Sequence, residues 1–250
     1  MLFDVHAHLD SRQFEKDLPE VIKRAEDAGV VAVINNGTDV SSNRETLELA
    51  RKYRIVKPAL GIYPSDALKM SDEDIEREIG FISGQKIVAI GEVGLDFYKV
   101  PDHERQEKVF LRFIALAKRM DVPLIVHSRG AEERTFELLQ QEGAKRVVMH
   151  CFSGSQELAG KVEKAGYFFS IPPVIMNSKR FQKLAKKISV ARLLTETDSP
   201  FLSHVSGERN EPCNVAVTLK KVSEIKKLEL SEVKKIFFMN FQRFFRIETF

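Results

Sequence analysis

The sequence predicts one domain over residues 1–250, folded as a (β/α)8 barrel of the TIM type. Eight short apolar runs, each typical of a buried strand, alternate with segments whose apolar residues recur at helical spacing. No Pro-, Gly- or Ser-rich linker separates two halves of the chain. This alternation favours a parallel sheet covered by helices. An open doubly wound sheet is the alternative, and the presence of eight repeats favours a closed barrel.

The first half of the chain contains four strand–helix units. Gly29 ends the first helix, Asn35-Asn36-Gly37 closes the second strand, and Ser42 with Glu45 forms a capping-box pattern for the second helix. The predicted strands cover residues 1–6, 30–34, 55–62 and 87–91, and the predicted helices cover about 14–25, 42–50, 71–82 and 102–120.

The second half repeats the same pattern and ends in a helical tail. Gly143 and Gly166 end two of its helices. The predicted strands cover residues 122–126, 146–149, 167–171 and 191–195, and the predicted helices cover about 131–141, 158–165, 181–188, 215–225 and 233–245.

Composition restricts the classes of function. Hydrophobic residues make up 43% and charged residues 30% of the chain, which allows a sizeable core. The formal net charge of +3 permits a phosphate-bearing substrate without requiring one. Two cysteines are too few for a disulfide framework, no targeting segment is visible, and no apolar run approaches the ~20 residues that span a bilayer. We therefore expect a cytoplasmic protein without membrane association, and no obligate protein partner is indicated.

Metal-ligating side chains stand where the predicted strands end. Barrel enzymes place their reacting groups at the carboxyl ends of the strands. Four imidazoles and two carboxylates at one rim would be costly without cations, and the set suits a two-metal site. We expect two divalent ions, with Zn, Mn or Mg compatible with these ligands. The residues are His6 and His8 after strand one, Glu92 after strand four, His127 after strand five, His150 after strand six and Asp198 after strand eight.

The same residues lie in six blocks that resemble the TatD family, in the family's order, from the first residues to about Asn240. The resemblance implies an amidohydrolase-like barrel and a metal-dependent hydrolase, and several members of the family are DNases with exonuclease activity. The blocks are Asp4-Val5-His6-Ala7-His8-Leu9-Asp10, Gly91-Glu92-Val93-Gly94-Leu95-Asp96, Val126-His127-Ser128-Arg129, His150-Cys151-Phe152-Ser153-Gly154, Glu196-Thr197-Asp198-Ser199-Pro200 and Arg209-Asn210-Glu211-Pro212.

The resemblance also implies how the ligands are shared. Glu92 would bridge the two ions, so no carboxylated lysine is needed. One block departs from the family pattern: where Gly-x-His-Pro-His is common after strand three, this chain has Gly61-Ile62-Tyr63-Pro64-Ser65. Those histidines usually lie near the substrate phosphate, so the departure bears on substrate preference and turnover. The implied ligands are His6, His8 and Asp198 for one ion and His127 and His150 for the other.

The expected reaction is the hydrolysis of DNA phosphodiester bonds. Two cations would lower the pKa of a bridging water, and Asp198 would act as the general base, which makes Glu92 and Asp198 the predicted catalytic residues. Arg129 and Arg209 are candidates for contacts with the substrate phosphate. The alternative for Arg129 is a surface ion pair, and the alternative for Arg209 is a structural role in its loop. Glu196 is expected to orient a ligand histidine from behind.

Other functions remain open from the sequence. The same ion pair could hydrolyse another ester or an amide, as in a D-aminoacyl-tRNA deacylase or a small-molecule amidohydrolase. A metal-binding scaffold without catalysis is a further alternative, favoured only by the altered loop at Tyr63 and Ser65. A sequence-specific DNA-binding module is disfavoured because no helix-turn-helix or zinc-finger spacing is visible and the basic excess is small.

Overall fold

Each strand of the sheet pairs in parallel with the next strand along the chain. The computed structural model describes residues 1–98 and 100–247, so residue 99 and residues 248–250 of the predicted domain lie outside it. Within the described residues, eight strands follow one another in the order β1 to β8, which confirms the predicted barrel. The strands are β1 (Leu2–Ala7), β2 (Val30–Asn36), β3 (Val56–Leu60), β4 (Ala89–Gly94), β5 (Leu124–His127), β6 (Val147–Met149), β7 (Phe168–Ile171) and β8 (Leu193–Thr195).

Helices connect the strands and cover the outside of the sheet. Every residue of β1 and of β4 is buried, because the helices cover one face of each strand and the barrel interior the other. The helices are α1 (Leu18–Asp27), α2 (Val40–Lys52), α3 (Pro64–Ala67), α4 (Asp72–Ser83), α5 (His103–Met120), α6 (Glu132–Gln141), α7 (Gln156–Lys164), α8 (Lys179–Lys187), α9 (Val215–Lys226) and α10 (Leu230–Phe245). Among the described residues, none of the helices combines the length and the apolar character needed to cross a bilayer.

The seam between β1 and β8 is closed by polar contacts. An isolated parallel bridge joins Ala7 to Ser199. Below it, Asp4 Oδ1 accepts the backbone N–H of Thr197 at 2.9 Å, and the Thr197 hydroxyl donates to Asp4 Oδ2 at 2.5 Å. Burial raises the pKa of Asp4 well above its usual value, against the effect of these hydrogen bonds. The two ends of the barrel sequence are thereby fixed to each other.

Three local predictions were wrong. β4 begins at Ala89, so Glu92 lies inside the strand and not at its exit. The cap of α2 is formed by Asp39 and Ser42, since the Asp39 carboxylate accepts the Ser42 N–H and the Ser42 hydroxyl accepts the Asp39 N–H, each at 2.8 Å. Glu45 instead accepts a hydrogen bond from another serine in the first turn. Finally, α1 starts at Leu18 because Phe14 belongs to a separate 3-10 turn.

The apolar face of α10 packs against the barrel, and truncation of one buried side chain on this face tests the packing. Phe241 is fully buried and its ring stacks on that of Phe3 with 4.4 Å between the centroids. We expect Phe241→Ala to lower the free energy of unfolding by about 3–5 kcal/mol, because it leaves a cavity. Urea denaturation measures this loss. Met239 lies on the same helix and is 57% exposed. Met239→Ala should change stability by about 0.5 kcal/mol or less, and equal losses in both variants would contradict the assignment of this helix face.

Candidate metal centre

The six side chains predicted as metal ligands come together at the carboxyl ends of the strands. His6 lies in β1 and Glu92 in β4, while the other four stand at or just beyond the ends of their strands. Five of the six line one cavity of about 660 Å³, together with Tyr63, Arg129 and other residues. The fold therefore brings together residues from both ends of the sequence, as the strand-end rule predicts.

The first group of donor atoms contains His6, His8, Glu92 and Asp198. The Nε2 atoms of the two histidines are 3.1 Å apart. Glu92 Oε2 lies 3.4 and 3.5 Å from them, and Asp198 Oδ1 lies 3.6 and 3.4 Å from them. Ligands about 2.0–2.1 Å from a tetrahedral ion would be separated by about 3.3 Å. These atoms fit a divalent cation.

The second group uses the other oxygen of Glu92. Oε1 lies 2.8 Å from Nδ1 of His127 and 3.8 Å from Nε2 of His150. His127 Nδ1 is buried and makes no hydrogen bond, although it lies this close to the carboxylate. One carboxylate thus gives one oxygen to each group, which is the arrangement required of a bridging ligand.

Two histidines are held from behind by acceptors. His8 Nδ1 is 2.9 Å from the carbonyl oxygen of Asn36. Because a carbonyl can only accept, Nδ1 carries the proton and Nε2 is left free to face the first group. His150 Nδ1 is 2.6 Å from Glu196 Oε2, so its Nε2 faces the second group. This contact confirms the expected position of Glu196 behind a histidine, which is typical of metal-ligating imidazoles.

A third histidine, His127, is backed by Tyr63 and Asp96. Tyr63 Oη is 3.1 Å from His127 Nε2 and donates to Asp96 Oδ2 at 2.7 Å. Burial and the charge of Glu92 raise the pKa of the Tyr63 phenol, so it keeps its proton at neutral pH. Sequence analysis missed Asp96 as a site residue. The available signal was its place in the same block as Glu92, just beyond the end of β4.

The two candidate arginines have different surroundings. Arg129 donates Nε and Nη2 to Asp96 Oδ2 at 3.0 and 2.5 Å, and half of its side chain is exposed at the cavity. Arg209 donates to both carboxylate oxygens of Asp17, at 2.7 and 2.6 Å, and to Glu211 at 2.9 Å. It does not line the cavity. The structure thus supports the structural alternative for Arg209 and not a phosphate contact, because the guanidinium already holds its loop.

Comparison with known proteins agrees with this geometry. The family model described as "TatD related DNase" matches residues 3–246. The chain belongs to this family. It is 38% identical to the uncharacterized metal-dependent hydrolase YabD of Bacillus subtilis, over 99% of this chain and all of that protein. It is 36% identical to the human protein named deoxyribonuclease TATDN3, over 98% of this chain and 94% of that protein.

The fold of this TatD-family chain also matches a solved structure. The crystal structure of YJJV, a TatD homologue from Escherichia coli K12, superposes with a TM-score of 0.92 and 29% sequence identity. The match covers 99% of this chain and 98% of that one. The resemblance carried by the six sequence blocks is therefore confirmed, and the chain is a TatD-family metal-dependent hydrolase.

The carboxylates of this TatD-family site stay ionised despite their burial. Burial raises the pKa of Glu92, but the imidazoles of His6 and His127 outweigh burial and hold that pKa well below its usual value. Burial likewise raises the pKa of Asp198, and contact with His8 and the charges of neighbouring imidazoles bring it below the usual value. Two negative charges are therefore available to a cation.

The neighbouring carboxylates raise the pKa values of two histidines in the cluster. Burial lowers the pKa of His8, but contact with Asp198 and the charges of Glu92 and Asp198 together outweigh burial and raise it to about 9. Burial also lowers the pKa of His150, and Glu196 raises it to about 10. A divalent cation would compete with these protons for the ring nitrogens that face the two groups.

Backbone geometry keeps the ligands close to one another. Asp198 adopts a left-handed conformation with φ of 57°, which Asp tolerates better than most residues. Its N–H donates to the carbonyl of His6 at 2.8 Å, which links the two ligands directly. Gly94 has φ of 142°, and a Cβ at this position would overlap the carbonyl oxygen of His127. Only glycine allows β4 and β5 to approach this closely at the site.

Metal uptake by the TatD-family chain should stabilise the fold. We expect Zn²⁺ at about 100 times its dissociation constant to stabilise the metal-free protein by roughly 2.7 kcal/mol, because the folded state alone presents the site. Melting curves with increasing Zn²⁺ measure this effect. His8→Ala removes one donor of the first group and should lose most of the stabilisation. His103→Ala is the matched control, since His103 stacks on Phe97 outside the cavity. Equal stabilisation of the wild type and His8→Ala would contradict the site.

Proposed function

We propose that the chain is a single-domain deoxyribonuclease that hydrolyses phosphodiester bonds with the help of two divalent cations. The observation that carries the proposal is the orientation of three histidines, each hydrogen-bonded through one ring nitrogen to a group outside the cluster and turned so that its other nitrogen faces a donor group. The family description and the name of the human relative support DNA as the substrate. The proposed ligands are His6, His8 and Asp198 for the first ion, His127 and His150 for the second, and Glu92 for both.

The donor set is compatible with several ions. The nitrogen-rich first group suits Zn or Mn, while carboxylate oxygens and a phosphate substrate also admit Mg. Bound ions would supply Lewis acidity, which lowers the pKa of a water molecule and offsets negative charge at the phosphoryl group.

Asp198 is the proposed general base. Its side chain is 17% exposed and lines the cavity, so it can reach both the first group and a water molecule. Because its pKa lies below the usual value, the carboxylate is ionised at neutral pH and can accept the proton of the attacking water. The proton can then pass from Asp198 towards the leaving sugar oxygen. Glu92 is ionised and contributes one oxygen to each group, so it fixes the position of one proposed ligand set relative to the other.

Two further side chains suit a nucleic-acid substrate. Arg129 stands at the cavity with its guanidinium held by Asp96, where it can meet the charge of a phosphate. Phe201 also lines the cavity and is 52% exposed, and its ring centroid lies 6.3 Å from that of His8. Exposed aromatic rings bind unpaired bases by stacking. We therefore propose that a base next to the cleaved bond stacks on Phe201.

We also propose that the protein acts in the cytoplasm. Cys151 and Cys213 are both free, which suits a reducing compartment.

Replacement of the proposed base tests the reaction. We expect Asp198→Asn to lower kcat by about 10²- to 10⁴-fold, because the amide cannot accept the proton. The assay uses end-labelled DNA with Mn²⁺ or Mg²⁺ in excess. Asp27→Asn is the matched control, as it makes the same chemical change on an exposed residue of α1 that pairs with Lys23. Equal DNA turnover by wild type and Asp198→Asn would mean that the activity comes from elsewhere.

The same assay tests the dependence on metal and the substrate class. A chelator should abolish cleavage, and addition of a single kind of divalent ion should restore it. Wild-type protein that hydrolyses acyl esters but leaves DNA, RNA and nucleotides intact would contradict the proposed substrate.

The stacking role of Phe201 has its own test. We expect Phe201→Ala to raise KM for single-stranded DNA by about 5- to 150-fold at nearly unchanged kcat, since stacking contributes about 1–3 kcal/mol per base. The comparison substrate carries an abasic terminal nucleotide, for which the variant and the wild type should have similar KM values. Met239→Ala on α10 is the control for loss of an exposed apolar side chain. An unchanged KM in Phe201→Ala would rule out the stacking contact.

A further inference from the structure

A hydrogen-bond network centred on a buried carboxylate lies behind His127, and the proposed reaction assigns no step to two of its members, Tyr63 and Asp96. Asp96 Oδ2 is its centre: it accepts the Tyr63 hydroxyl at 2.7 Å and two N–H groups of Arg129, and it lies 3.4 Å from His127 Nε2. Asp96 itself is fully buried. All polar partners of this carboxylate oxygen therefore come from the protein.

The backbone around Asp96 is fixed by Gln106, a buried residue of α5. The Asp96 N–H donates to Gln106 Oε1 at 2.8 Å, and Gln106 Nε2 donates to the Asp96 carbonyl at 3.1 Å. Asp96 Oδ1 accepts the backbone N–H of Tyr98 at 3.1 Å. The carboxylate thus has one position and one orientation, which allows it to orient its neighbours.

The number of protons on Tyr63 fixes the direction of the hydrogen bonds among Tyr63, Asp96 and His127. Tyr63 has a single hydroxyl proton, and this proton is donated to Asp96. The oxygen of Tyr63 that lies 3.1 Å from His127 Nε2 can therefore only accept, so Nε2 must carry the proton. In the neutral imidazole this leaves the lone pair on Nδ1, the atom that lies 2.8 Å from Glu92 Oε1 without a hydrogen bond.

We propose that Tyr63 and Asp96 are positioning residues that fix the Nε2–H tautomer of His127 and thereby set the affinity of the second cation. The inference rests on the two-ion site proposed above and deepens it. Tyr63 stands where the TatD family commonly has a histidine, and its phenol acts on a ligand of the second ion. The departure in this loop thus bears first on metal binding and only through it on the substrate.

The test is a calorimetric titration, in which Zn²⁺ is added to the metal-free, full-length protein and the affinity for each ion is measured. Tyr63→Phe keeps the ring and removes the hydroxyl, and Asp96→Asn keeps the shape and removes the charge. We expect both variants to bind the second ion about 10- to 100-fold more weakly, with the affinity for the first ion unchanged. Long-range ¹H–¹⁵N spectra of the Zn²⁺-loaded wild type should show the His127 proton on Nε2.

Tyr53→Phe is the matched control, since Tyr53 follows α2 and does not line the cavity. It should leave both affinities unchanged. Unchanged binding of the second ion by Tyr63→Phe, or a His127 proton on Nδ1 in the wild type, would overturn the positioning role. If the wild type still binds two ions and cleaves DNA in that case, the proposed function stands. A wild type that binds no ion would overturn both.

Discussion

The contact between Asp4 and Thr197 is the constraint on which the rest of the site depends. It joins the first strand of the barrel to the segment after the last one, and the hydrogen bonds of Thr197 satisfy both oxygens of the buried carboxyl group. Asp4 also accepts the backbone N–H of His6 at 3.1 Å. The same side chain therefore fixes a proposed ligand histidine of β1 relative to Asp198, one residue beyond Thr197. Without this seam the first donor group would be divided between two separate chain ends.

When no cation is bound, the donor groups depend on protons held between their ring nitrogens and carboxylates. Ring nitrogens 3.1 Å apart and two ionised carboxylates within one buried cluster are stable only with protons or cations between them. The structure maintains this arrangement through partners outside the cluster, which include a backbone carbonyl for His8, Glu196 for His150 and Tyr63 for His127.

Most of the fold, and the meeting of the six candidate ligands at one rim, could be predicted from the sequence, because both leave local signals. A strand buried on both faces is a continuous apolar run, and a ligand directly beyond such a run is visible without knowledge of its neighbours. The contacts of Tyr63 and Arg209 left no such signal, and the signal of Asp96 was only its place in the same block as Glu92. Tyr63 and Asp96 act through each other across 33 positions, and the partner of Arg209 lies 192 positions away. The cap of α2 was misassigned because Ser42 can be either the N-cap residue paired with Glu45 or the third helical residue paired with Asp39. Only the backbone geometry shows that Asp39 is the N-cap residue.

The position of Glu92 couples the two donor groups at the rim of the barrel. Since its two carboxylate oxygens face different donor groups, a displacement of this one side chain changes both groups at once. Any change in β4 that shifts the carboxylate towards one side of the rim withdraws it from the other. The histidines from the start of the chain and those from its middle thus depend on a single side chain for their relative position, although no strand pairing joins β1 to β5 or β6.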